Sequence, residues 1–197
     1  MTFVSRSVVY AGRIHREKGL AILIKAMDIL NKDKKNSVRL TLIGAYDTRK
    51  GGSGEQYKKE LNCLAQNTEI EWIEPIYDAK QLANKIREHD IFCYPSIAEK
   101  GESFGAAPLE AMGVGLPVVL SNLECFHDYI SEGINGFLFD YKSENAPELL
   151  ADKISLILDS PELYSKLSIG ALETSKKFSV DLIATQYINK FEELLNG

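Results

Sequence analysis

Glu102-Ser103-Phe104-Gly105-Ala106-Ala107-Pro108-Leu109-Glu110-Ala111-Met112-Gly113-Val114-Gly115-Leu116-Pro117-Val118-Val119 reads as loop, helix, small-residue turn and apolar strand in direct succession. That order is a joint of an α/β fold, in which amphipathic helices cover an apolar sheet. Glu102 and Glu110 stand with seven residues between them, astride a glycine and the expected helix start. A loop ending in glycine at a helix N-terminus offers free backbone N–H groups and the positive end of a dipole, which suits a phosphate. Carboxylates on either side can accept hydrogen bonds from hydroxyls. The stretch therefore fits a ligand that is polyhydroxylated at both ends and anionic in the middle, as a sugar nucleotide is.

Working outward, short Val- and Ile-rich runs alternate with longer amphipathic segments, the pattern of βα units around a parallel sheet. Strands are expected at Ser7–Ala11, Val38–Gly44, Glu69–Ile73, Ile91–Tyr94, Pro117–Ser121 and Gly136–Phe139. The second is only partly alternating, so one of its faces is expected to be more exposed. Helices are expected at Gly19–Asn31, Gln56–Gln66, Ala79–Arg87, Ala106–Gly113, Ala146–Leu158, Pro161–Lys176 and Ser179–Leu195. Asp78 with Gln81 three residues on resembles a capping box, and Ser160-Pro161 is an N-cap followed by proline at the first helical position. The segment Ala45–Gly54, with Arg49-Lys50-Gly51-Gly52-Ser53-Gly54, reads as an irregular surface connection. Because it follows a strand end, it is also a candidate lid over a ligand. The last helix carries Leu182, Ile183, Tyr187, Ile188, Phe191, Leu194 and Leu195, one strong apolar face with spillover.

The 197 residues suit one α/β domain, 1–197, built on about six parallel strands flanked by helices. A 45% apolar and 26% charged composition is that of an ordinary soluble domain. The net charge of -5, with no basic stripe, argues against nucleic acid, and the run Lys32-Asp33-Lys34-Lys35 reads as a solvated helix end. Cys63, Cys93 and Cys125 are widely spaced and read as buried or incidental thiols of a reducing compartment. No run of about 18 apolar residues and no signal segment occurs, so a cytoplasmic, soluble chain is expected.

The quoted stretch resembles the Glu-x7-Glu signature of retaining GT-B glycosyltransferases of glycosyltransferase family 4. Tyr10-Ala11-Gly12-Arg13-Ile14-His15-Arg16-Glu17-Lys18-Gly19 resembles the same family's Gly-Arg…Glu-Lys-Gly element. The two motifs occur in the family's order, about ninety residues apart, and the resemblance runs from about Ser7 to Leu195. It implies a Rossmann-like domain that is the C-terminal, donor-binding half of a GT-B fold, without the N-terminal acceptor domain.

Arg13 and Lys18, taken alone, could be two surface cations. The resemblance implies that they hold the donor's diphosphate, a fork and a point charge respectively. Arg13, Lys18 and Glu102 are the catalytic group it implies, with Glu102 on the donor sugar. Gly12, Phe104, Gly105, Ala106, Leu109 and Glu110 are the donor-binding set, with Glu110 on the ribose hydroxyls and the amides at Gly105 and Ala106 toward phosphate and sugar. Pro108 lacks an N–H, so these amides must precede it. Glu99, in the same loop, competes with Glu102 for its role, and Glu110 could instead be an ordinary first-turn acid. His15 and Arg16 are expected to face solvent.

Where many family members carry a Gly-Gly-x-x-Glu turn, this chain reads Ser121-Asn122-Leu123-Glu124-Cys125-Phe126-His127-Asp128, which puts sugar or acceptor selectivity there in question. His127 reads as structural rather than as a base. No Asp-x-Asp motif occurs, in line with a metal-independent reaction and no cofactor. The resemblance implies a UDP-sugar as the default donor and a glycan or lipid-linked acceptor, reached through the missing N-terminal domain. It points to bacterial O-antigen or capsule assembly, with membrane contact confined to a full-length enzyme at the inner membrane. The fragment by itself is expected to be inactive. The competing readings are a non-catalytic nucleotide-binding module and one half of a GT-B-like sugar-nucleotide epimerase or hydrolase.

Overall fold

A computed structural model describes residues 6–32 and 37–196. Six strands, β1 (Arg6–Ala11), β2 (Val38–Ile43), β3 (Ile70–Ile73), β4 (Ile91–Tyr94), β5 (Val118–Ser121) and β6 (Gly136–Phe139), form one wholly parallel sheet in the order β3-β2-β1-β4-β5-β6. The expected α/β class and strand set are thus observed. The helices are α1 (Leu20–Leu30), α2 (Gly54–Leu64), α3 (Ala79–Arg87), α4 (Ala106–Gly113), α5 (Ala146–Asp159), α6 (Pro161–Lys177) and α7 (Val180–Asn196). On one side α1 packs against α5 and α2; on the other α4 packs against α6 and α3. The sheet is sandwiched between them, so its central strands read as continuous apolar runs rather than alternating ones.

β1, β4 and β5 are buried along nearly their whole length, and Val8, Val9, Tyr10, Phe92, Val118 and Val119 anchor the core. Complete burial of such side chains is worth roughly 1.5–3 kcal/mol each. β2 departs from the expected exposed face: only Arg39 is exposed along it. The reason is its place between β1 and β3, with Thr41 satisfied internally. The Thr41 hydroxyl donates to Glu71 at 2.9 Å and lies 2.8 Å from Nε2 of the buried His89. Burial pulls the His89 pKa below the ordinary histidine value. The more exposed strand is β3, at the sheet edge.

Local signals act as the sequence implies. Asp78 accepts the Gln81 N–H at 2.8 Å and Ser160 accepts that of Leu163 at 3.2 Å, which starts α3 and α6. α2 begins and ends two residues before its expected limits. Its C-terminal exit is fixed by Asp28 of α1, whose carboxylate accepts the N–H groups of Gln66 and Asn67 at 2.7 and 3.1 Å. The segment 45–54 is not an irregular connection: it contains a 3-10 turn, Thr48–Lys50, capped by Asp47. Two further 3-10 turns, Arg16–Lys18 and Glu124–Phe126, are also unforeseen. Of the run Lys32-Asp33-Lys34-Lys35, residues 33–35 lie outside the described residues. Cys93 is buried, Cys125 half-buried and Cys63 exposed. Among the described residues no helix is long and apolar enough to cross a membrane.

Candidate functional site

In an open parallel sheet, ligands collect at the C-terminal strand ends where the strand order reverses. Here that point lies between β1 and β4, which pair directly although βα units separate them in the chain. β1 runs out into Gly12 and Arg13, and β4 into Pro95 and Ser96 ahead of the loop to α4. The two motifs therefore meet at the reversal, which spacing alone could not establish.

A cavity of about 250 Å³ opens there. Its lining includes Gly12, Arg13, Lys50 and Glu110 together with the apolar groups of Pro75, Ile76, Tyr77 and Leu82. Arg13 is half-exposed and held by two contacts, Nη2 on Glu17 Oε1 at 2.8 Å and Nη1 on the Gly51 carbonyl at 3.2 Å. The Tyr10 hydroxyl donates to the Arg13 carbonyl at 2.8 Å and fixes the backbone from below the sheet edge. Glu110 has no hydrogen-bond or ion-pair partner among the described residues, and desolvation at the cavity raises its carboxyl pKa. It is an unengaged acceptor rather than an acid saturated by its own helix.

Lys18 and Glu102 do not line this cavity. They form a buried ion pair, Nζ to Oε2 at 2.7 Å, with side chains 7% and 9% exposed. The Ser96 hydroxyl also donates to Glu102 Oε2, at 3.0 Å, and Lys18 Nζ lies 5.3 Å from the Tyr94 ring centroid. Burial works to lower the Lys18 pKa, but hydrogen bonds to Glu102 and Tyr94 outweigh it and hold the ammonium above the ordinary lysine value. Glu99 does not compete for this place; it is exposed and bound to Lys142 at 2.7 Å and to the Tyr141 hydroxyl at 3.0 Å.

Gly105 caps α4 in the left-handed region at φ 75°, and a Cβ there would come within 2.6 Å of the Phe126 ring. Only glycine allows this approach, which brings the helix start down onto the aromatic cluster. No side chain caps α4 and Pro108 has no N–H, so the amides of Ala106 and Ala107 have no partner among the described residues. Ala107 reaches the cavity.

Two members of the expected donor-binding set have their side chains elsewhere. Phe104 packs against Tyr129 and Phe178, with ring centroids 5.5 Å away in each case, and Leu109 packs against the core. Both are apolar groups drawn to apolar neighbours, so neither side chain lines the cavity. His15 does not face solvent freely: it is half-buried, and its Nδ1 accepts the Glu17 N–H at 3.4 Å. Arg16 is exposed as expected and pairs with Glu60 at 2.6 Å. His127 lies on the surface, 2.6 Å from Asn122 Oδ1, and lines a different depression.

The residues missed by sequence are Lys50, Pro75, Ile76, Tyr77, Leu82 and Ser96. Lys50 lies in the segment already read as a candidate lid, whereas no motif marks the next four, which reach the cavity from the end of β3 and from α3. Ser96 could have been suspected from its place just after a strand end.

The chain resembles proteins of related architecture along almost its whole length. It is 28% identical over 190 residues to a D-inositol 3-phosphate glycosyltransferase of Corynebacterium efficiens, covering 96% of this chain and 43% of that protein. It is 27% identical over 190 residues to a phosphatidyl-myo-inositol mannosyltransferase of Mycobacterium leprae, covering 96% and 47%. The Anabaena protein Alr3699/HepE, solved in complex with UDP and glucose, superposes with a TM-score of 0.78 at 24% identity, over 96% of this chain and 48% of that one. The chain thus spans somewhat under half the length of these relatives. The family model for glycosyl transferases group 1 matches residues 5–174, and with the sheet order and helix layers of a GT-B C-terminal domain also present, the chain belongs to that family.

Proposed function

We propose that this chain is the donor-binding half of a retaining, family 4 glycosyltransferase, and that it binds a nucleotide-diphosphate sugar. The observation that carries this is one cavity at the reversal of the sheet that is lined by Arg13, Glu110 and apolar side chains together. In this reading the base lies against Pro75, Ile76, Tyr77 and Leu82, and the ribose hydroxyls donate to Glu110. Arg13, Lys18 and the amides at the start of α4 receive the diphosphate. Gly12 and Gly105 let the backbone approach it. In this reading Phe104 and Leu109 contribute through packing that sets the loop and the first turn.

The Lys18–Glu102 pair suggests how the two residues share the work. Without donor, each neutralises the other. An arriving diphosphate competes for the Lys18 ammonium and frees Glu102, still held by Ser96, to accept from a sugar hydroxyl. When the bond from the anomeric carbon to the β-phosphate oxygen breaks, its electron pair passes to that oxygen. Preorganised cations and amides facing the developing charge are the expected source of catalysis. The acceptor hydroxyl oxygen then bonds to the anomeric carbon on the same face, its proton passing to the released β-phosphate oxygen, so that the configuration is retained. No metal or cofactor is assigned a role.

Uridine as the donor base follows from the family resemblance, and Alr3699/HepE was solved with UDP. The acceptor is a polyhydroxylated glycan or lipid-linked molecule. Two of the relatives named above are, by name, a D-inositol 3-phosphate glycosyltransferase and a phosphatidyl-myo-inositol mannosyltransferase, and they lend no support to O-antigen or capsule assembly in particular. Because the relatives are about twice as long, acceptor binding and any contact with the cytoplasmic membrane face are assigned to a further domain of a longer protein. Calorimetry with UDP, GDP and their sugars tests this reading. Replacing both Arg13 and Lys18 by Ala should cost on the order of 2–4 kcal/mol of diphosphate affinity, and unchanged affinity would sink the phosphate assignment.

A further inference from the structure

On the turn between β2 and α2, Lys50 forms no direct ion pair among the described residues, although its charge acts on Asp47 of the same turn and Glu55 and Glu74 line the depression beside it. Four other basic side chains around the two motif loops are paired: Arg13 with Glu17, Arg16 with Glu60, Lys18 with Glu102 and Arg49 with Asp47. Such matching cancels most of their field. Lys50 lines the same cavity as Arg13 and Glu110, and also an adjoining depression of about 320 Å³. No ion-pair or hydrogen-bond partner is found for its side chain among the described residues.

The backbone carrying Lys50 is fixed on both sides. Asp47 accepts the Arg49 N–H at 2.8 Å and the Arg49 guanidinium, and these bonds lower its pKa to about 2. Gly51 closes the turn at φ 79°, its N–H on the Thr48 carbonyl at 3.1 Å. A Cβ on Gly51 would come within 3.1 Å of Arg13 Cδ, and its carbonyl holds the Arg13 guanidinium. The Ser53 N–H donates to the Ile14 carbonyl at 2.9 Å, and the Ser53 hydroxyl oxygen accepts the Arg16 N–H at 3.1 Å. The turn is thus stitched to the loop that carries Arg13 and Lys18, and it delivers to the cavity an ammonium that no hydrogen bond ties down among the described residues.

We propose that Lys50 is a phosphate-binding residue of the donor site, contacting the α-phosphate of the bound nucleotide. The inference deepens the nucleotide-sugar reading and depends on it. The α-phosphate is attached directly to the ribose, and Lys50 shares its cavity with Glu110, the acid assigned to that ribose, and with Arg13. Lys18 lies outside that lining and is left to the β-phosphate. An ammonium on a four-carbon stem suits this place, since it acts as a point charge without a fixed approach direction.

The test is calorimetry of the 197-residue chain and its Lys50→Gln and Lys50→Arg variants with uridine, UMP and UDP, or with guanosine, GMP and GDP if GDP binds the unaltered chain more tightly. Lys50→Gln should weaken the mono- and diphosphate alike by about tenfold, the size of one charge-assisted hydrogen bond. It should leave the nucleoside unchanged and flatten the salt dependence, while Lys50→Arg retains most of the affinity. Unchanged mono- and diphosphate affinity, an equal loss for the nucleoside, or an effect confined to the diphosphate would overturn the α-phosphate contact and leave the nucleotide reading standing. An unaltered chain that binds neither UDP nor GDP would overturn both.

Discussion

The loop and helix around α4 and the terminal helix α7 are both rich in apolar residues, yet the fold treats them in opposite ways. Phe126 beside α4 is fully buried, Gly105 sits on its ring, and Tyr94, Phe126 and Tyr129 pack edge to face. On α7, Tyr187, Phe191 and Leu194 are 63%, 58% and 71% exposed. The apolar face read from the sequence of α7 exists, but no layer of the described residues covers it. Free energy from burial is gained where a second surface lies opposite, and the 25 cal/mol per Å² rule of thumb gives nothing to a stripe facing water. The region around α4 is packed within the chain, whereas α7 presents an apolar face that no described residue covers. In the GT-B resemblance, the last helix crosses back to the acceptor-binding domain.

The largest expected effect tests that contrast. The chain by itself should transfer no sugar, because holding an acceptor hydroxyl against the anomeric carbon supplies roughly 7–11 kcal/mol of barrier lowering. Supplying an acceptor domain from a longer form of the protein should restore turnover in a radiolabelled-donor assay. Robust transfer by residues 1–197 would remove the contrast between the two regions.

Stability should separate them next. Phe126→Ala is expected to cost about 3–5 kcal/mol in urea unfolding, as a fully buried aromatic does, whereas Phe191→Ala should stay within about 0.5 kcal/mol. A comparable loss at both positions would show that α7 is already packed in solution.

Within the α4 region, the buried pair offers a sharper test. Lys18→Ala alone strands the Glu102 carboxylate and should destabilise by about 3–5 kcal/mol, while Lys18→Met with Glu102→Leu should recover most of that loss. If the single and double variants melt alike, the pair is not a coupled unit. For binding, Glu110→Gln should weaken UDP by about 1–2 kcal/mol, and Glu102→Gln should leave UDP nearly unchanged while weakening the intact UDP-sugar. Equal effects of both on UDP would dissolve the assigned division between ribose and sugar.

The smallest effect concerns pH. Burial depresses the His89 pKa in the folded chain, so the unfolded state binds the proton more readily. The stability contributed by neutral His89 is therefore complete above the unfolded histidine value and is lost as pH falls below it toward the folded value. Melting curves at pH 7.5 and 5.5 should show a larger acid loss for the unaltered chain than for His89→Gln. An identical acid loss in both would place the titration elsewhere.

Most of the architecture was legible because its signals are local. Ile91–Tyr94 and Gly136–Phe139 are strands at the expected limits, and Ala79–Arg87 and Ala106–Gly113 are helices at theirs, since runs of branched residues, capping acids and prolines act within a few residues of themselves. The motifs around Arg13 and Glu110 were legible for the same reason, and they do meet at one cavity. What the sequence could not determine were meetings across the chain. Lys18 and Glu102 are 84 residues apart, and Gly51 and Lys50 come beside Arg13 only after β2 has paired with β1. The place of Phe104 in an aromatic cluster was not legible either, because Tyr129 and Phe178 arrive beside it from later elements. Residue type and spacing determine which chemistry a segment can offer. Strand order and the layers above the sheet decide which of those groups share a cavity, which neutralise each other, and which remain facing water.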